Sequence, residues 1–232
     1  MSALPSKKNQ TSLLFANLDK GCEALSLDLS TIQKQQLIEY LLELEKWNKT
    51  YNLTAIRAIE DMLVQHIFDC LSVIPAIKAF EFKQGRSLKN VVDVGSGAGL
   101  PAVVIAIARP DLDVICIDAV EKKHVFVSHI VNKLGLVNLK SMHARVESIH
   151  GLRVDLVISR AFSGLSTFIE LAAGLVADTG SIAAMKSKRL ECEVEDLNHK
   201  QLPWEIDNIV QLQVPQLDAE RFLVWVRRKS HE

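Results

Sequence analysis

The chain offers little of what marks several common protein classes. Its four cysteines, Cys22, Cys70, Cys116 and Cys192, form no C-x-x-C pair and no zinc-type spacing. No His/Asp/Glu cluster has metal spacing either, so no metal is expected. Reduced thiols in a cytosolic protein are the economical expectation. Neither sign of charge dominates: 27 Lys+Arg against 28 Asp+Glu leave a net charge of −1. Any nucleic-acid binding must therefore come from a local basic patch. No apolar stretch approaches ~20 residues without charge, so no membrane span is expected. Met1–Gln10 is polar, and the first apolar run, Leu13–Phe15, is too short for a signal peptide. A cytoplasmic location follows as an expectation. Internal repeats and low-complexity tracts are absent, while 48% hydrophobic content in 232 residues is ample for a core.

What is present centres on Val91-Val92-Asp93-Val94-Gly95-Ser96-Gly97-Ala98-Gly99-Leu100-Pro101. A β-branched run ending at Gly95 reads as a strand buried on both faces. The glycines permit positive φ and a close approach of backbone to ligand. Pro101 suits the first position of a following helix, whose free N–H groups would face an acceptor-rich ligand. A dinucleotide-binding turn, G-x-G-x-x-G, would put its third small residue at position 100. Leu100 stands there, and the third glycine comes one residue early, at Gly99. The resulting Asp-x-Gly-x-Gly-x-Gly form resembles motif I of S-adenosylmethionine-dependent methyltransferases. A turn with only a structural role is the competing reading.

Before this turn the pattern is helical. A short helix is expected over Leu13–Leu25 after a loose tail. Ser30 and Gln33 have capping-box spacing, and Ile32, Leu37, Tyr40, Leu41, Leu44 and Trp47 recur at helical intervals as a core stripe. Trp47–Thr54 ends this helix in a polar, aromatic-bearing segment. A third helix should run from Asp61 to about Val73, closed by Pro75. Gln84–Ser87 reads as a linker, dividing a helical extension or cap (1–86) from the main domain (87–232).

After the linker, strands and helices alternate, the signature of a parallel sheet covered on both faces. Strands are expected at Val91–Val94, Val114–Ile117, Leu139–Met142, Asp155–Ile158 and Ser181–Met185. A charged helix, Arg189–His199, and an antiparallel hairpin of Ile206–Val214 with Phe222–Val226 complete the domain. The expected fold is α/β and Rossmann-like, with a mostly parallel seven-stranded sheet and an N-terminal helical cap.

Several polar residues fall at the carboxyl ends of these strands, where such sheets bind ligands. Asp118 ends the second strand and suits the ribose hydroxyls of an adenosyl ligand; a helix N-cap is its bland alternative. Val146 and Glu147 follow the third strand, at the adenine edge. Arg160 ends the fourth, its planar fork suited to a carboxylate or phosphate. Lys186-Ser187-Lys188-Arg189 follows the fifth. With Arg221, Arg227, Arg228 and Lys229 it makes either a phosphate-binding rim or a solvated basic face. There is no Asn-Pro-Pro-Tyr run for exocyclic amines and no Pro-Cys nucleophile for a pyrimidine C5. Guanine N7 exposes a lone pair and needs alignment rather than a general base.

Taken together, the chain from about Ser30 to Arg228 resembles the ribosomal RNA small subunit methyltransferase G family, also called glucose-inhibited division protein B. The specific segments are Lys46–Thr54, His66-Ile67-Phe68-Asp69, Ile158–Phe162, Leu212–Pro215 and Glu220–Val224. The resemblance implies methyl transfer from S-adenosyl-L-methionine to N7 of a guanine in 16S ribosomal RNA, free or in the 30S subunit, by a monomer. It implies cofactor contacts at the turn Gly95, Ser96, Gly97, Gly99 and Leu100, at Asp118, at Val146 and Glu147, and at Arg160. Arg160, Lys186 and Arg221 are the implied catalytic set. Lys122 and Lys123 match basic positions near it, and Asn52, Thr54, His66 and Asp69 match a segment packed over it. Ala102 and Ser187 replace usual glycines, and Gln65 stands where an arginine often precedes the histidine. The rival readings are a methyltransferase for small molecules or proteins, and a non-enzymatic RNA-binding module.

Overall fold

The computed structural model describes residues 7–162, 164–187 and 190–229. The helical region comes first. Helix α1 spans Lys7–Ala24, so residues 7–10, expected in a loose tail, are already helical; Met1–Ser6 lie outside the described residues. Helix α2 spans Thr31–Tyr51 and opens on the expected capping box. The Gln33 N–H donates to Ser30 Oγ at 3.2 Å, and the Ser30 N–H to Gln33 Oε1 at 2.9 Å. Leu37, Tyr40, Leu41 and Leu44 are buried as the stripe requires, but Ile32 is 71% exposed. It sits in the first turn, where the helix is held to the sheet by polar contacts instead. Gln33 Nε2 donates to the Ile107 carbonyl at 2.7 Å and Gln36 Nε2 to that of Leu134 at 2.9 Å.

Helix α3 corrects the expected stop at Pro75: it runs from Ile59 to Gln84. Leu63–Phe68 takes a wider π-helical turn, and two helical segments meet at Ser72, whose N–H keeps its bond to the Phe68 carbonyl at 2.9 Å while its Oγ donates to that of Asp69 at 2.7 Å. Pro75 then falls in the first turn of the next helical segment, Val73–Gln84, where N–H groups lack intrahelical partners anyway. This helix is long and apolar enough to span a bilayer, yet 67% of its most apolar stretch is buried in the protein. Its apolarity is that of a core helix.

All seven expected strands are present: β1 (Asn90–Val94), β2 (Asp113–Asp118), β3 (Leu139–His143), β4 (Val154–Arg160), β5 (Val176–Lys186), β6 (Trp204–Leu212) and β7 (Arg221–Arg228). Their order is β3-β2-β1-β4-β5-β7-β6. The first five are parallel; β7 is antiparallel to both β5 and β6. The chain leaves β1 for β2 on one side and returns to β4 on the other, which opens the ligand crevice at their carboxyl ends.

Side chains alternate across the sheet as strand geometry demands. Val91, Val114, Leu156 and Ala183 face a core continuous with α1, α2, α3, α4 (Ala102–Ala108) and α5 (Glu121–Leu134). Val92, Val157, Ile182 and Val224 face a second cluster with Phe168 and Ile169 of α6 (Leu165–Ala172). Helix α7 begins at Leu190 and ends at His199; Lys188 and Arg189, expected in a basic cluster, lie outside the described residues.

Candidate active site

The glycine turn is built by bonds that point inward. The N–H groups of Gly95 and Ser96 donate to the Ile117 carbonyl at 2.9 and 3.2 Å, and those of Gly99 and Leu100 to the Ser96 carbonyl at 2.9 and 2.8 Å. The Ala102 N–H, first in α4, donates to Asp93 Oδ2 at 3.1 Å. The expectation of free N–H groups at this helix start is thereby corrected: the buried Asp93 carboxylate of β1 takes the first, and the Gly99 carbonyl takes that of Val103 at 2.7 Å. Pro101 lies just before α4 rather than at its first position. Asp93 is fully buried, its other oxygen has no partner, and burial pushes its carboxyl up to about 7. Leu100 and Ser96 are buried, so the turn offers backbone rather than side chains. Gly95 has φ +70°, and a Cβ there would stand 3.6 Å from the Phe162 ring; at Gly97, φ +59°, only Lys123 Nζ lies near, at 3.9 Å. Their faces are open to a flat ligand.

Asp118 is held against this turn. Its Oδ2 accepts from the Gly97 N–H and its Oδ1 from the Val120 N–H, both at 2.8 Å, and Lys123 Nζ is 3.6 Å away. The carboxylate thus clamps the turn and holds the residue that precedes α5, while each oxygen retains a lone pair. Asp118 pairs in register with His143 at the end of β3, and the turn Val146–Ser148 follows. Val146 is half-buried and Glu147 exposed at that end of the sheet.

Arg160, Lys186 and Arg221, far apart in sequence, line one cavity of about 340 Å³ together with Thr54, His66 and Asp69. Asp69, from α3, joins the two arginines: Arg160 Nη1 lies 3.2 Å from its Oδ2, and Arg221 Nε lies 3.2 Å from its Oδ1. Arg160 Nη1 also donates to the Gln65 carbonyl at 3.0 Å, and His66 Nδ1 lies 3.3 Å from it. Burial, reinforced by the Arg160 charge, pushes the His66 imidazole down to about 4, so the ring is neutral. Lys186 is nearly as buried; its Nζ donates to the Phe162 carbonyl at 3.1 Å and pairs with Glu193 of α7 at 2.6 Å.

The sequence missed two organisers of this region. Asn48 is buried and staples the following loop, with its Nδ2 donating to the Ile56 carbonyl and its Oδ1 accepting from the Thr54 N–H. Phe162 links the two halves: its ring lies beside Gly95 and its carbonyl holds Lys186. Asn after a helical stripe is a recognisable loop-closing signal; nothing in the sequence marked Phe162 apart from the family segment it sits in. Asn52 accepts from Arg57 rather than lining the cavity. Trp47 packs its ring against Phe126 and His129, so it is not a free platform for a base. Lys122 Nζ is tied to the Tyr51 carbonyl at 2.8 Å. Between the two readings of the basic residues, a phosphate-binding rim or a solvated face, Arg227 and Arg228 follow the second. Because β7 is antiparallel, Arg227 and Arg228 lie at the opposite end of the sheet, where Arg227 pairs with Glu205 and Arg228 covers Trp204.

The family model for rRNA small subunit methyltransferase G matches residues 33–224. Over 214 residues the chain is 47% identical to the ribosomal RNA small subunit methyltransferase G of Bordetella avium, covering 92% of this chain and 93% of that protein. The protein of the same name from Methylibium petroleiphilum is 40% identical over 218 residues, covering 94% and 96%. Among solved structures, the plantazolicin methyltransferase BpumL in complex with SAH aligns with a TM-score of 0.56 at 11% identity, covering 87% of this chain and 100% of that one. The ribosomal protein L11 methylase from Lactobacillus delbrueckii subsp. bulgaricus aligns at 0.51 and 14% identity, covering 70% and 77%. These two share the fold. With the family model spanning most of the sequence and close relatives aligned nearly end to end, the chain belongs to the rRNA small subunit methyltransferase G family.

Proposed function

We propose that this protein transfers a methyl group from S-adenosyl-L-methionine to N7 of a guanine in 16S ribosomal RNA. The observation that carries this reading is the juxtaposition of an open glycine turn with the arginine-lined cavity, joined through Phe162. The residues present fit the cofactor. Gly95 and Gly97 leave flat, uncrowded backbone at positive φ, and Asp118 keeps a lone pair on each oxygen. When bound, S-adenosylmethionine supplies an electrophilic methyl group carried on a sulfonium.

The chain's own residues then divide the work. Asp118 holds the ribose hydroxyls, with Val146 and Glu147 beside the adenine. Gly95, Ser96, Gly97, Gly99 and Leu100 supply the backbone surface. Arg160, Lys186 and Arg221 form the catalytic set that holds phosphate and orients the acceptor. Asp69 is neutralised by two guanidinium groups, and both nitrogens of His66 are engaged. The cavity therefore has no unengaged base among these residues, which suits an acceptor that already exposes a lone pair. The N-terminal helical region acts as a cap that supplies the outer wall of the acceptor side through Thr54, His66 and Asp69. The protein works as a cytoplasmic monomer on the RNA, free or within the 30S particle, without a metal.

Incubation with tritiated cofactor and 30S particles lacking the modification tests this. Label should enter 16S RNA, and borohydride reduction with aniline should cleave the strand at the labelled guanine. Label confined to protein or small molecules, or RNA that resists cleavage, overturns the reading.

A further inference from the structure

We infer, on the reading that the methyl acceptor is a guanine in RNA, that Tyr51 is a stacking platform for the base next to that guanine. Arg57 and Lys122 hold the phosphates beside it. Tyr51 is the last residue of α2 and is 46% exposed. Its ring centroid lies 5.2 Å from that of Trp47, and no other ring touches it among the described residues. Trp47 in turn rests on Phe126 and His129, so Tyr51 is the outermost member of an aromatic stack rooted in the core. The backbone under the ring is equally fixed. Lys122 Nζ donates to the Tyr51 carbonyl at 2.8 Å. The Asn52 N–H, in a left-handed cap with φ +48°, donates to the Asn48 carbonyl at 3.2 Å. A ring that is already ordered loses little freedom when a base settles on it.

The two cations that brace this residue meet no carboxylate among the described residues. Arg57 gives Nη1 to the Asn48 carbonyl at 3.2 Å and Nη2 to Asn52 Oδ1 at 2.6 Å. A guanidinium has five N–H groups and an ammonium three, so both exposed heads keep donors for an anion. An exposed ring beside uncompensated cations matches single-stranded RNA, whose bases stack on aromatic faces while its phosphates meet Lys and Arg. Position says which base. Thr54, three residues on, lines the catalytic cavity, so at most about 11 Å of chain separates it from Tyr51. Splaying the guanine into that cavity costs its stacking on the neighbouring base. The Tyr51 ring stands where it can replace the lost face.

Wild-type, Tyr51→Phe and Tyr51→Leu enzymes are compared on reconstituted 30S particles, intact or with an abasic nucleotide on either side of the mapped guanine. Leucine keeps an apolar contact with Trp47 but offers no face to a base. Tyr51→Leu should raise KM for intact particles about tenfold with little change in kcat. Its affinity for S-adenosylhomocysteine in calorimetry should match the wild type, and Tyr51→Phe should match the wild type throughout. On one of the two abasic particles the wild type should lose the same factor, and Tyr51→Leu should lose nothing further, because the stacking partner is already gone. A wild-type KM in Tyr51→Leu, a Tyr51→Phe as poor as Tyr51→Leu, or losses that multiply on both abasic particles overturns the inference while guanine methylation stands. Failure of the wild type to methylate intact particles at all overturns the function, and this inference with it.

Discussion

Asp69 Oδ1 accepts from Arg221 Nε at 3.2 Å across 152 residues of chain. The same carboxylate receives Arg160 on its other oxygen, so one buried side chain of the helical region holds the ends of β4 and β7 together. Removing one partner of a buried ion pair leaves the others desolvated without compensation. Asp69→Ala should destabilise the protein by roughly 3 kcal/mol, since the arginines keep partial solvent contact, and turnover should fall further than the stability loss explains. Urea unfolding checks the first part. A loss under about 0.5 kcal/mol, typical of a surface pair, would show that Asp69 does not hold the strands.

The seven strands and the capping box were legible because both depend on local periodicity and side-chain chemistry, which Ser30, Gln33 and the β-branched runs carry openly. The run of α3 through Pro75 was not, because a proline one turn past a junction of two helical segments looks the same in sequence as a proline that ends a helix. Arg160, Lys186 and Arg221 were legible as strand-end cations, and the cavity does gather them. Their pairing with Asp69 and Glu193 was not, since contacts between distant segments have no local signature. The choice between a basic rim and a solvated face was open for a related reason: composition counts Arg227 and Arg228, but only strand direction says at which end of the sheet they lie.

The glycines of the turn should separate by mutation into structural and ligand-facing ones. At Gly99, φ +88°, an added Cβ would meet Val103 Cγ2 at 2.6 Å and Val127 Cγ2 at 3.1 Å. Strain and overpacking together should cost Gly99→Ala about 2–4 kcal/mol of stability. Gly97→Ala meets only the flexible end of Lys123, so its folding cost should be about 1 kcal/mol. Its larger effect should be on cofactor binding. Thermal melts and calorimetry with S-adenosylhomocysteine should rank the two variants in opposite orders; the same order in both assays would refute the division.

Asp118 carries both a structural and a ligand-facing load. Asp118→Ala removes the acceptor for the Gly97 and Val120 N–H groups as well as the expected ribose contacts. Cofactor affinity should fall by about 2–4 kcal/mol, one or two charge-assisted bonds, accompanied by a modest drop in melting temperature. Wild-type affinity in calorimetry would mean that the carboxylate only builds the turn.

His66 and Asp93 should pull the pH dependence of stability in opposite directions. The His66 ring falls from 6.5 to about 4 in the folded protein, so between those values the unfolded chain binds the proton that the folded one refuses. Its contribution is complete above pH 6.5 and is lost as pH falls toward 4. Asp93 does the reverse. Burial raises its carboxyl from 3.8 to about 7, so the folded protein holds a proton that the unfolded chain releases. That contribution is complete below 3.8 and is lost as pH rises toward 7. At full extent they are about 3 kcal/mol for His66 and about 4 kcal/mol for Asp93, and over pH 4–6.5, where both titrate, they nearly cancel. Relative to wild type, His66→Gln should lose stability as pH rises through this window, because only the Asp93 effect remains. Asp93→Asn should gain stability over the same window. Chemical denaturation at half-unit pH intervals reads both slopes, and variant profiles parallel to wild type would show that neither buried group titrates as its surroundings imply.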